Sequence, residues 1–277
     1  MSYTSSINYE KSPKFNGNIL VVKPKQKIEH LKESILLKRS EDIFHHKFYE
    51  TPCPPEPLGF REYSVPENNV YVLRLLIKTP GVSCKIPEEL SWTIPFIQDC
   101  LSLEKVFPNY QNRFWYLTIR HGDSASCGKE ASTFHVDGFQ GIKLPRHIPQ
   151  QSIIWTNKYP THWAIQPFFV RALDKAKHNI HDFFEQNYNK DFVYSGLENM
   201  LYLFDPYCVH RKDPNATGFR TLMRMTISPV IVEDDTNTIN PAFLMDKFNN
   251  DDPRNYLLKP GEDILNSSIK ASYLRKV

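Results

Sequence analysis

Two histidines in the chain stand two residues before an aspartate, in His121-Gly122-Asp123 and in His135-Val136-Asp137. On a β-strand, residues two apart point the same way, so either pair can present an imidazole and a carboxylate to one side of an ion. A third ligand from a neighbouring strand would complete a two-histidine, one-carboxylate facial triad, the set that holds non-haem Fe(II) and leaves the opposite positions open. With 10 histidines and 31 acidic residues among 277 positions, about one such pair is expected from chance, so context must choose between them. His121 closes the run Phe114 to Arg120 and leads into the small-residue loop Ser124 to Gly128, which would hold ligands poorly. His135 stands between Phe134 and Val136, and Gly138 follows Asp137; a packed strand ending in a turn would fix both ligands. His135 and Asp137 are the expected pair, and His121 reads as a strand-end histidine bonded to backbone or water.

The third ligand is expected at His210, which ends the run Leu201 to Val209 and precedes the turn Lys212 to Gly218. The next run, Phe219 to Ser228, places Arg220, Leu222, Arg224 and Thr226 on one strand face. An arginine facing a barrel interior is costly unless a carboxylate meets it, and its fork suits a dicarboxylate. Other chemistries lose ground: the chain has no Gly-rich dinucleotide fingerprint, no P-loop, no GxSxG elbow and no HExxH. The remaining histidines lack carboxylate neighbours in a strand setting, and Cys127 reads as a small apolar filler or an exposed thiol.

The order His135-x-Asp137, then His210, then Arg224-x-Thr226 resembles the Fe(II)/2-oxoglutarate-dependent dioxygenases of the double-stranded β-helix fold. The resemblance covers about residues 114 to 229. It implies Fe(II) on His135, Asp137 and His210, 2-oxoglutarate chelating that metal with its far carboxylate on Arg224 assisted by Thr226, and O2 as the oxidant. It further implies that co-substrate decarboxylation to succinate drives oxidation of a small-molecule substrate. Arg220 departs from the pattern and is open to a role in either co-substrate or substrate binding. Two rivals stand beside this expectation: a non-catalytic cupin-like barrel that binds a ligand, and a Zn- or Mn-dependent hydrolase or isomerase on a similar barrel.

Around these residues the sequence must supply strands. Five short β-branched and aromatic runs, at 114–120, 132–137, 152–156, 200–204 and 219–227, suggest a sandwich or barrel, with another strand at 70–77. Helical spacing recurs over 27–49, near 95–103, and from Trp163 to Phe184. The expected architecture is therefore mainly β with flanking helices, which the resemblance sharpens to a distorted double-stranded β-helix (jelly-roll, cupin-like). One catalytic domain spans 1–277: an N-terminal arm and helical layer over 1–66, the β core over 67–232 with a helical insert near 161–188, and a polar C-terminal extension over 233–277.

The 34 basic and 31 acidic side chains leave a net charge of +3, too even to argue for nucleic acid or a membrane surface. A small amino-acid-like or specialised metabolite is the first expectation for the substrate, a protein side chain the second and a nucleobase the third. Five cysteines without a CxxC pair fit a reducing compartment. The first residues form no apolar leader, so a cytoplasmic location is expected.

Overall fold

The central strands alternate strictly between two kinds of surface. On β5 (Phe114–Asp123) and β11 (Phe219–Ser228), residues Trp115, Leu117, Ile119, Met223, Met225 and Ile227 are buried in the main apolar core. The alternate positions carry Thr118, Arg120, Leu222 and Arg224. A computed structural model describes residues 15–25, 50, 54–104, 112–124, 132–137, 150–170, 180–229, 231–232 and 237–243, with the backbone of 256–258 and 274–276. The architecture is mainly β. The largest sheet is antiparallel with strand order β2-β9-β6-β11-β5-β3, its other members being β2 (Glu56–Phe60), β3 (Val70–Lys78), β6 (Gln151–Thr156) and β9 (Met200–Phe204). Register sets Met225 opposite both Leu117 and Ile153, and Arg224 opposite both Thr118 and Ile154. One sheet face is thus apolar and the other mixed.

The apolar face is covered by helix α1 (Ile94–Ser102) and by the pair β1 (Ile19–Val22) and β4 (Cys84–Pro87). Pro95 sits in the first turn of α1, where no amide hydrogen bond is lost. Phe96, Ile97, Cys100 and Leu101 then fall on one buried helical face. The mixed face looks toward a small sheet of order β10-β7-β8, built from β7 (His162–Ala164), β8 (Val193–Ser195) and β10 (His210–Arg211). Trp163 is the joint between the layers: fully buried, it meets Phe204 of the large sheet edge to face at 4.9 Å between ring centroids, and His210 at 5.3 Å.

Several expectations change. The segment at 132–137 is not a strand; His135 alone makes a bridge, to His210, and Phe134 gives its backbone N–H to the Glu185 carboxylate. The helix expected from Trp163 onward is a strand at Trp163, and the described helix α2 spans Ile180–Asn187. Pro167 accounts for this, because it lacks an amide donor and forces the residue before it out of the helical region. The stretch 237–243 is fastened to the sheet rather than forming a polar tail. Thr238 exchanges hydrogen bonds with Leu73, and Asn240 donates to the Leu76 and Lys85 carbonyls. The Leu73 pairing lies where β3 bulges and Arg74 takes a φ of 46°. The expected N-terminal helix over 27–49 lies outside the described residues. No helix among the described residues is long and apolar enough to cross a membrane.

Because Trp163 locks the two sheets together, Trp163→Ala should cost about 3–5 kcal/mol of unfolding free energy. Urea denaturation followed by circular dichroism measures it, and a loss under 1 kcal/mol would show that the joint lies elsewhere.

Candidate metal centre and cationic cavity

His135 and His210 are brought together by two reciprocal backbone hydrogen bonds, His135 N–H to His210 O at 2.9 Å and His210 N–H to His135 O at 2.8 Å. The imidazoles consequently lie side by side, 4.6 Å between ring centroids. Each ring is held from behind by the carbonyl two residues earlier, His135 Nδ1 on Thr133 O at 2.8 Å and His210 Nδ1 on Cys208 O at 2.9 Å. A carbonyl only accepts, so both Nδ1 atoms carry the proton and both Nε2 atoms keep a lone pair. Such a backbone tether is how metal-ligating histidines are oriented. Burial, and then the neighbouring His210, pushes the His135 pKa down to about 3, and burial likewise lowers that of His210. Both rings are neutral at physiological pH.

Asp137 completes the group. Burial alone would raise its carboxyl pKa, but the Arg224 guanidinium and the two imidazoles hold it down at about 2. Its Oδ1 accepts from Arg224 Nη1 at 2.5 Å, while its Oδ2 is buried with no hydrogen-bond partner. An unpartnered carboxylate oxygen and two unprotonated Nε2 atoms lining one cavity are of the right chemistry for a divalent metal. Among the described residues no three His, Cys, Asp or Glu side chains stand close enough to form a ready-made metal site; Asp137 turns one oxygen to Arg224.

A cavity of about 150 Å³ opens here. His135, Asp137 and His210 line one wall, and Thr118, Arg120, Ile154, Arg220, Leu222 and Arg224 of the large sheet line the other. Arg220 is 5% exposed and its Nε donates to the carbonyls of Lys158 and Tyr159. Thr226 does not reach the cavity lining; its hydroxyl lies 3.5 Å from that of Ser152. His121 faces the other side of β5. Its Nδ1 meets the Thr221 hydroxyl and its Nε2 the Pro66 carbonyl, both at 2.8 Å, so both ring nitrogens are used within the protein.

Sequence reasoning missed four cavity neighbours. Arg120 shares its strand face with Thr118, and Lys212 follows His210 by two residues, a spacing that could have marked both. Glu185 and Arg211 carried no such signal. Glu185 holds the Phe134 amide at 2.9 Å and Arg211 Nη1 at 3.0 Å, and Arg211 stacks 4.2 Å over the Phe134 ring. The pair clasps the His135 segment to the His210 segment. No family model, curated protein or solved structure matches the chain.

The depressed histidines set an acid limit on stability. Folded His135 stays unprotonated down to about pH 3, whereas unfolded histidine takes up a proton near pH 6.5. The unfolded state therefore binds more protons below that value, and stability falls as pH drops from about 6.5 toward 3, by up to about 1.4 kcal/mol per pH unit for each such group. Asp137, depressed to about 2, acts in the same direction below its ordinary pKa. Urea unfolding of chelator-treated protein between pH 7 and 4 should show this slope, and His135→Gln should flatten it; equal slopes in both proteins would contradict the assignment.

Proposed function

We propose that the protein is an Fe(II)- and 2-oxoglutarate-dependent oxygenase acting on a small molecule, and that its facing sheets form a distorted double-stranded β-helix. The observation that carries the reading is the pair of backbone-tethered neutral imidazoles that share a cavity with the unpartnered Asp137 oxygen, opposite a wall that carries the buried Arg220 and the half-buried Arg120 and Arg224. His135 Nε2, His210 Nε2 and Asp137 Oδ2 are the donors that would hold the metal. Bound Fe(II) supplies oxygen activation coupled to decarboxylation of 2-oxoglutarate to succinate.

The chain's own residues divide the remaining work. Arg224 keeps Asp137 ionised and takes up its second oxygen, so Oδ2 is left as the ligand atom. That contact occupies Arg224 at the metal end of the cavity. Arg220 lines the same cavity, and the Asp137 contact belongs to Arg224, so Arg220 is assigned the far carboxylate of 2-oxoglutarate. Its Nε is fixed on two backbone carbonyls, which pre-orients the fork for a bidentate carboxylate contact. The assignment thus moves from the Arg-x-Thr pair suggested by pattern to the arginine before it, in keeping with the engagement of Thr226 by Ser152. Trp163 and Phe204 pack against the His210 ring, and Ile154 gives the cavity an apolar patch.

Under nitrogen, one Mn(II), standing in for Fe(II), should bind per chain, and 2-oxoglutarate should bind only with that metal present. His210→Ala should abolish metal binding while His121→Ala retains it. Calorimetry reads both, and unchanged metal affinity in His210→Ala would remove the proposal. If wild-type protein binds neither metal nor 2-oxoglutarate, the non-catalytic ligand-binding barrel becomes the better account.

Arg220→Gln should weaken 2-oxoglutarate by about 2–5 kcal/mol, or roughly 30- to several-thousand-fold. Arg224→Gln should act mainly on metal affinity. With Fe(II) and air, succinate release by the wild type and its loss in His135→Ala complete the test. A reversed ranking of the two arginines for co-substrate binding would return the far-carboxylate role to Arg224.

A further inference from the structure

The cavity carries more positive charge than the proposed reaction uses. Among the described residues five cations line it, Arg120, Arg211, Lys212, Arg220 and Arg224, and one carboxylate, Asp137. Arg211 is balanced by Glu185 and Arg224 by Asp137. A divalent metal and a dianionic co-substrate cancel one another, so loading the site does not remove the excess. Arg120 and Lys212 meet no carboxylate among the described residues. Arg120 lies 5.9 Å over the Tyr71 ring, and Lys212 gives one of its three N–H donors to the Ser124 carbonyl at 2.8 Å.

Their placement is convergent. Arg120 stands opposite Leu222 on the cavity face of β5. Lys212 follows His210 by two residues and crosses to the end of that same strand, where Ser124 is bonded to Gly218. Both line the cavity that His135, Asp137 and His210 also line. Two cations held within a partly desolvated cleft raise the local concentration of anions and bind them more strongly than exposed cations would.

We infer that the substrate of this cavity is a small molecule bearing a carboxylate or phosphate group, and that Arg120 and Lys212 are the residues that select it. The identity of the site rests on the oxygenase reading; the anion contact itself does not. The test uses the full chain under nitrogen, loaded with Mn(II) and saturating 2-oxoglutarate, titrated calorimetrically with inorganic phosphate, with acetate, and with neutral acetamide. Phosphate or acetate should bind one per chain and acetamide should not. Arg120→Gln and Lys212→Gln should each weaken the anion tenfold or more while 2-oxoglutarate affinity stays within twofold, and Arg120→Lys should keep most of the binding. Binding of phosphate alone assigns a phosphoryl group, and binding of acetate assigns a carboxylate.

The inference is overturned if neither anion binds the loaded wild type, if the Gln variants bind as well as the wild type, or if they lose 2-oxoglutarate in parallel. The last result would place both cations in the co-substrate site. Should the wild type fail to take Mn(II) or 2-oxoglutarate, the oxygenase reading falls. The same titration on unloaded protein then judges Arg120 and Lys212 by themselves.

Discussion

Everything in the candidate site depends on one short backbone contact, the two-way bridge between His135 and His210. It joins segments far apart in the chain and fixes their relative height to within a hydrogen bond. The imidazoles then need no contact with each other to be positioned, since each is oriented by a carbonyl of its own segment. Glu185 reinforces the bridge from outside by holding an amide of one segment and a guanidinium of the other. The small sheet thus gains a single residue of extra strand where the two imidazoles lie side by side.

The second constraint is electrostatic. β11 is flanked on both sides, by β5 and β6, and a central strand is an expensive place for two arginines. The cost is met differently at each. Arg224 has an ionised carboxylate, whereas Arg220 has backbone carbonyls at its Nε. Both side chains are thus secured within the protein, Arg220 buried and Arg224 half-buried, and the cavity has a positive wall. The same ion pair ties the two sheets across the cavity, which makes Asp137 a structural partner as well as a prospective ligand.

Strand content was legible from the sequence because period-two alternation is local: the runs at 70–77, 114–120, 152–156, 200–204 and 219–227 all became strands. The sharing of one face by Arg220 and Arg224 also follows from spacing, whereas the meeting of His135 with His210 was expected from the order of residues in the family resembled. What spacing could not convey was destination. Phe134 to Asp137 looked like a strand by composition, yet its amide bonds go to a side chain and a single bridge. The aromatic stripe from Trp163 has helical periodicity, but Pro167 and the pairing of β7 with its neighbours override it. Arg224 fitted a co-substrate pattern, and only the meeting of the two sheets shows that Asp137 is its partner. Arg120 and Lys212 carry no motif, since their relation arises where β5 ends beside the segment that follows β10.

The strand order of the large sheet bears on how the molecule comes into being. No two neighbours in the order β2-β9-β6-β11-β5-β3 are consecutive in the chain, so the sheet contains no hairpin that could zip locally. Every pairing closes a long loop, and such topologies reach the native state on the millisecond-to-second scale. The strand at the heart of the sheet, β11, is also the last of the six to leave the ribosome. Until it inserts, β5 and β6 have unsatisfied edges facing each other, and the growing chain carries two open templates for mispairing from the completion of β6 at Thr156 to that of β11 at Ser228.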